Sequence, residues 1–282
     1  MSSDLFGFDA FAPREIARQV ETIGVAKARL PLLTMSLLAV LAGAFIGLGA
    51  LFFTLVSSDP TLGFALTQVL GGVVFSLGLI LVVVAGAELF TGNNLLAMAW
   101  AGRRITTGEL LRNWAVVALG NLAGAVGLAA LVVLSGQGSL NGGAVGETYM
   151  QIAAAKVELP FWTAFFRGVL CNVLVCMAVW MAIAGRSVTD KVVAIVFPIS
   201  AFVAAGFEHS VANMYFIPVA MFLQWSGAVA EGWPLITIGG FIGNLVPVIL
   251  GNLAGGSLLV GLVYWLIYLR GNRDETRAGA GD

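Results

Sequence analysis

The chain has 282 residues, of which 59% are hydrophobic and only 10% charged, with a formal net charge of −1. Soluble proteins carry roughly 45–50% apolar and about 25% charged residues, so a soluble enzyme, a nucleic-acid binder and a disordered chain are all disfavoured. The small net charge offers no basic field for a polyanion, and 36 glycines suit close helix packing in lipid.

Residues 1–28 form a first segment that mixes Asp4, Asp9, Glu15 and Glu21 with Arg14, Arg18 and Lys27. It lacks the apolar core of a removable signal peptide. Ile16, Val20 and Ile23 recur at helical spacing opposite Glu15, Arg18 and Glu21, which predicts a short amphipathic helix. Such a helix either lies on the membrane surface or serves as a docking or gating element. A membrane-crossing helix needs about 20 apolar residues. Uncharged runs at 30–58, 61–87, 113–146, 168–185, 192–207 and 232–269 supply six candidates. A further uncharged run, 210–230, is joined to the fifth by Glu208-His209. The expected organisation is an N-terminal cytoplasmic segment 1–28, a six-span domain 29–270 and a cytoplasmic tail 271–282. Cys171 and Cys176, five apart in one apolar run, read as free thiols, because a helix would hold them too far apart for a disulfide.

Basic residues orient the spans. Arg14, Arg18, Lys27 and Arg29 precede the first run; Arg103, Arg104 and Arg112 follow the second; Arg186 and Lys191 follow the fourth; Arg270, Arg273 and Arg277 follow the sixth. That places 12 of the 14 bases on one side, with only Lys156 and Arg167 on the other. Six crossings with both termini cytoplasmic satisfy this bias; five or seven would scatter it.

The halves echo each other. Gly86-Ala87-Glu88 matches Gly206-Phe207-Glu208, and Asn93 matches Asn213, at an offset of 120. Gly120-Asn121-Leu122-Ala123-Gly124 recurs as Gly251-Asn252-Leu253-Ala254-Gly255 at an offset of 131. Three spans per half implies opposite insertion of the two halves, an inverted 3+3 repeat of the kind found in transport proteins. In each half an apolar run is broken by a polar knot, 88–94 in the first and 208–213 in the second. Irregular backbone survives at membrane depth only where protein buries it or water reaches it. Paired breaks point to a substrate path, and the helix ends they create favour an anion. The fold class is therefore an all-α membrane protein whose second and fifth spans are interrupted.

His209 is the sole histidine and lies in the second knot. A lone histidine in a soluble core is usually structural, but an ionisable group inside a membrane is a functional candidate by default. An imidazole can bind a passing anion, lend it a proton and recover that proton from water. Glu88 and Glu208 occupy equivalent places. They fit either a proton relay or a supporting role in which each carboxylate accepts free backbone N–H groups. Support is favoured, because the pair obeys the repeat while only one half has a histidine. Thr91 either bonds the imidazole and fixes its tautomer or caps a half-helix. Asn172 and Asn213 offer amide donors inside apolar runs, whereas Asn121 and Asn252 read as ties between helices. Phe75, Leu79, Leu89, Phe90 and Phe202 bracket the knots and could form apolar rings that block a hydrated charge and pass a neutral acid. Lys156 either draws anions to the outer mouth or is an ordinary interfacial lysine. One histidine cannot build a histidine-rich metal site, and the chain carries no convincing hydrolase, nucleotide or cofactor motif.

These segments resemble the formate/nitrite transporter family, and within it the formate channels. The likeness rests on Ala85-Gly-Ala-Glu-Leu-Phe-Thr-Gly92, Gly168-Val-Leu-Cys-Asn-Val-Leu-Val-Cys-Met-Ala178 and Gly206-Phe-Glu-His-Ser-Val-Ala-Asn213. It is extended by Ala42-Gly-Ala-Phe-Ile46, Val179-Trp-Met181, Gly185-Arg-Ser187, Gly255-Gly-Ser-Leu-Leu-Val-Gly-Leu262 and Tyr264-Trp265. The resemblance implies an aquaporin-like protomer with its own pore, assembled as a homopentamer in the bacterial inner membrane. It implies a central site of His209 and Thr91, constrictions at Leu79, Leu89, Phe90, Phe75 and Phe202, and anion attraction or positioning by Lys156, Asn172 and Asn213. The substrate it implies is formate or a related small monovalent anion, moving with or without a proton. A nitrite or hydrosulfide channel is the alternative. No cofactor is implied. A formate-producing glycyl-radical enzyme acting at the N-terminus is an implied cytoplasmic partner. Met177 stands where the family usually has Leu or Val, and Arg167 adds a charge near the outer mouth.

Overall fold

The computed structural model describes residues 10–230 and 232–271. Asp4, Asp9, Glu231, Arg273, Arg277 and nearly all of the expected tail lie outside them. The described chain is helical, with one isolated bridge between Ala10 and Gly185. In chain order the helices are α1 (Pro13–Ala28), α2 (Leu32–Ser57) and α3 (Phe64–Gly86), whose last turn is a widened π turn. A 3-10 turn (Gly92–Leu96) then leads into α4 (Ala97–Ala101), followed by α5 (Thr107–Leu134), α6 (Ala144–Val157) and α7 (Phe161–Ala184). The chain continues as α8 (Val188–Ala204), α9 (Ser210–Trp225) and α10 (Ile238–Tyr268).

Five of these, α2, α3, α5, α7 and α10, are long and apolar enough to cross a membrane. The fifth apolar run, 192–207, does not qualify by itself: it falls mostly in α8 of 17 residues, which the knot separates from α9 of 16 residues in the run 210–230. Charge marks the helix ends poorly. The run expected from 113 begins at Thr107, taking in Glu109 and Arg112, because Thr106 caps it: its hydroxyl accepts the Glu109 amide at 3.1 Å while its own amide donates to Glu109 Oε2 at 2.7 Å. That helix stops at Leu134 rather than reaching 146, since Gly136, Gly142 and Gly143 take positive φ angles of 74°, 63° and 95°. The run expected from 168 begins at Phe161, so Arg167 lies inside α7.

Burial follows a lipid solvent. Large apolar side chains such as Leu33, Leu119, Leu131 and Phe197 face outward, while Thr91, Asn93, Asn121, Asn172, Asn213 and Asn252 are buried. Two helix crossings set the frame, α2 on α5 and α7 on α10. Both are made by glycines at backbone contact. A Cβ on Gly124 would collide with the Val40 carbonyl, and one on Gly255 with the Val169 carbonyl. Only small residues permit such approach between membrane helices.

The amphipathic prediction for α1 holds in part. Ile16, Ala17 and Val20 are buried against Leu95, Met98, Trp180 and Val260 of the same chain, so the helix docks on the body. Ile23 instead stays 39% exposed. Glu21, expected on the outer face, is buried, because it pairs with Arg104 at 3.5 Å.

Candidate functional site

Each break begins at a glycine. Gly86 and Gly206 hold φ angles of 86° and 68°, which end α3 and α8. The next amide closes a wide turn in both cases, Ala87 N onto Val82 O and Phe207 N onto Phe202 O, each at 3.0 Å. The following amide then donates to a neighbouring helix: Glu88 N to Leu38 O of α2 at 3.2 Å, and Glu208 N to Arg167 O of α7 at 3.3 Å.

The groups that hold the breaks open correspond residue for residue. In the first, Lys27 of α1 is 3.0 Å from Glu88 Oε1. Asn93 Nδ2 donates to Glu88 Oε2 at 2.7 Å and to Asn113 Oδ1 at 3.0 Å, and Asn113 Nδ2 donates to the Lys27 carbonyl at 3.2 Å. In the second, Lys156 of α6 is 2.9 Å from Glu208 Oε1. Asn213 Nδ2 donates to Glu208 Oε2 at 2.6 Å and to Asn244 Oδ1 at 2.7 Å, and Asn244 Nδ2 donates to the Lys156 carbonyl at 2.8 Å. A second staple backs each ring. Asn121 accepts the Phe90 amide and donates to the Ala39 and Glu88 carbonyls. Asn252 accepts the Ser210 amide and donates to the Gly168 and Glu208 carbonyls. Buried backbone groups freed by a broken helix need such partners.

Each carboxylate sits within its break, bonded to a lysine ammonium and an asparagine amide rather than to backbone N–H groups. Lys27, Asn113 and Asn244 belong to this machinery and were not singled out from the sequence. The signal existed: Asn113 and Asn244 share the 131-residue offset of the two glycine-asparagine segments, and Lys27 and Lys156 lie 129 apart.

The breaks meet at Thr91 and His209. Thr91 Oγ1 lies 3.1 Å from His209 Nε2, and both residues are buried. Of the two roles open to Thr91, the geometry has the imidazole contact; its side chain makes no capping bond. His209 caps α9, its Nδ1 accepting the Ala212 amide at 3.1 Å. An accepting Nδ1 has its lone pair free, so a neutral ring carries its proton on Nε2, directed at Thr91. The ring stacks on Phe202, centroids 5.8 Å apart and planes 19° apart, and Phe202 meets Phe75 edge-on at 5.7 Å.

A cavity opens on either side. One, of about 550 Å³, is reached by Lys27, Leu79, Glu88, Leu89 and Gly92. The other, of about 280 Å³, is reached by Phe75, Lys156, Phe202, Glu208 and His209. Leu89 and Gly92 flank Thr91 in sequence, so the Thr91–His209 contact stands where the two spaces approach. Leu79 and Leu89 wall the first, Phe75 and Phe202 the second; Phe90 lines neither.

Two residues expected on the anion path sit elsewhere. Asn172 Nδ2 donates to the Asn252 carbonyl at 2.7 Å and Asn94 Oδ1 at 2.8 Å, with the Thr91 carbonyl at 3.3 Å. Asn213 is held by Glu208 and Asn244. Neither lines either cavity; their amides tie the breaks to neighbouring helices.

Helices of membrane length, two broken segments and a buried imidazole between two cavities define a membrane transport protein. A sequence profile described as formate/nitrite transporter matches residues 14–266. The chain is 43% identical over 276 residues to the formate channel FocA of Escherichia coli (strain K12), covering 94% of this chain and 97% of that one. It is 39% identical over 264 residues to the formate channel FocA of Haemophilus influenzae, covering 90% and 93%. Among solved structures, one described as a pentameric formate channel with formate bound superposes with a TM-score of 0.79 at 41% identity, covering 85% of this chain and 98% of that one. The chain belongs to the formate/nitrite transporter family; its relatives are channels and transporters, not enzymes.

Proposed function

We propose that the protein is a formate channel that also passes related small monovalent anions, assembled as a homopentamer in the cell's inner membrane. The observation that carries this reading is the 3.1 Å contact of His209 Nε2 with Thr91 Oγ1, between two cavities walled by leucine and phenylalanine. The names of its relatives and of the matching structure point to the same substrate and assembly.

Six crossings in two inverted halves, both termini cytoplasmic, form the frame. The matching staples support this arrangement by pairing α1 with α6, α2 with α7, α3 with α8 and α5 with α10. α1 then belongs to the first half as the counterpart of α6, rather than to a separate segment. With an odd number of crossings per half, the Lys27 cavity faces the cytoplasm and the Lys156 cavity the outside.

Formate entering from either cavity replaces Thr91 as the partner of Nε2–H, and the freed Thr91 hydroxyl becomes a second donor. The charge is thereby shared between two fixed donors in a space from which water is excluded. A proton taken from water in the adjoining cavity and passed to the carboxylate there yields a neutral acid, which the apolar walls pass more readily than a hydrated ion. Uptake then rises as external pH falls. Purified protein in liposomes, loaded with a pH dye and offered formate, nitrite, lactate or hydrosulfide at several pH values, tests the reading. No formate flux above protein-free liposomes would end it; nitrite or hydrosulfide flux far exceeding that of formate would reassign the substrate within the family.

A further inference from the structure

Lys27 and Lys156 each line a cavity, but each stands 2.9–3.0 Å from a carboxylate that lines the same cavity. Opposite charges at that distance form a dipole whose field falls off quickly, so neither pair makes a strong lure for an anion. Each cavity has one further cation. Arg167 lines the space that holds Lys156, and Lys191 the space that holds Lys27. No carboxylate among the described residues lies within 4 Å of either. Among the described residues each cavity thus gathers two cations and one carboxylate, and the net positive charge they give it comes from the cation without a carboxylate beside it.

These cations stand outside the duplicated staples. The counterpart of Arg167, at the 129-residue offset, is Leu38, which occupies the same place beside the first cavity and accepts the equivalent amide on its carbonyl. The counterpart of Lys191, at the 120-residue offset, is Gly71. The frame therefore forms without a charge at either position. We propose that Arg167 and Lys191 are the entry-determining residues of the two mouths, each concentrating small monoanions in its own cavity. The inference rests on the anion-channel reading and adds to it which cations act at which face.

A sphere of 280 Å³ has a radius of about 4 Å, so a wall cation lies roughly 7 Å from an anion at its centre. In water-like dielectric at low salt that attraction enriches the anion about threefold. At about 0.5 M salt, where screening acts over only a few ångströms, the enrichment falls below about 1.3-fold.

The test uses intact cells producing the full chain, with formate uptake and efflux measured separately. In isotonic sucrose medium of low ionic strength, Arg167→Gln is expected to raise the half-saturating formate concentration for uptake about threefold. The half-saturating concentration for efflux stays unchanged, the ratio of maximal rate to half-saturation shifts by one common factor in both directions, as detailed balance requires of passive flux, and Arg167→Lys retains the unsubstituted value. Lys191→Gln is expected to raise the half-saturating concentration for efflux alone. In 0.5 M NaCl the uptake effect of Arg167→Gln disappears. Unchanged half-saturation in low salt, or a loss confined to maximal rate in both directions, overturns the inference while the formate reading stands. Cells of the unsubstituted protein that move no formate sink both.

Discussion

Removing Lys156 alone is expected to leave the protein's most consequential charge without its partner. The Lys156 and Glu208 side chains are 15% and 5% exposed and 2.9 Å apart. In Lys156→Met the Glu208 carboxylate loses its one cationic partner and keeps neutral amide donors, with Asn213 Nδ2 at 2.6 Å. Breaking a buried pair by deleting one member typically costs 3–5 kcal/mol. The adjoining cavity gives water some access to the carboxylate, which lowers the expectation to about 2–4 kcal/mol. Lys27→Met is expected to cost less, about 1–3 kcal/mol, because the Lys27 side chain is already 28% exposed. Combining Lys156→Met with Glu208→Gln removes both charges and retains an acceptor for Asn213; it is expected to lie within about 1 kcal/mol of the unsubstituted protein. Equilibrium unfolding in mixed micelles titrated with SDS reads these differences. The reasoning fails if Lys156→Met unfolds with the parent, or if the double variant is no more stable than the single one.

Other outcomes follow from the same geometry. Asn252→Ala strips partners from the Ser210 amide and from the Gly168 and Glu208 carbonyls, and is expected to destabilise by about 2–4 kcal/mol in the same titration. Gly124→Ala drives a methyl into the Val40 carbonyl and is expected to cost about 1–3 kcal/mol. Gly127→Ala, where nothing lies within 4 Å, is expected to be neutral or stabilising by up to about 1 kcal/mol. In liposomes, His209→Asn is expected to fold, since its side-chain oxygen can still accept the Ala212 amide. Its formate flux should lose the rise on acidification, and an unchanged pH dependence would remove the imidazole from proton movement.

Much of the site can be read in the sequence because polar residues at membrane depth are scarce. Glu88, Thr91, Asn93, Glu208, His209 and Asn213 interrupt long apolar runs, and two fixed offsets tie them into pairs. The rest is hidden in the sequence for a common physical reason. Lys27 sits in a charged segment, where one more base looks ordinary, and only the fold brings its ammonium to Glu88 from 61 residues away. Asn113 and Asn244 sit near the ends of apolar runs, where an amide draws no attention. The directions of Asn172 and Asn213 also depend on packing: Asn213 turns to the Glu208 and Asn244 side chains, and Asn172 to Asn94 and the Asn252 carbonyl. Helix ends do not follow the charges, since capping by Thr106 and the left-handed glycines decide the matter locally.

The two staples grip backbone and carboxylate but leave untouched the side chain immediately after the glutamate. In the second half that residue is His209; in the first it is Leu89. The scaffold therefore behaves like a pair of matching sockets whose contents can differ, provided that the second still accepts the Ala212 amide. One socket carries chemistry and the other a plug of hydrocarbon, and exchanging what is mounted offers a way to retune selectivity while leaving the architecture intact.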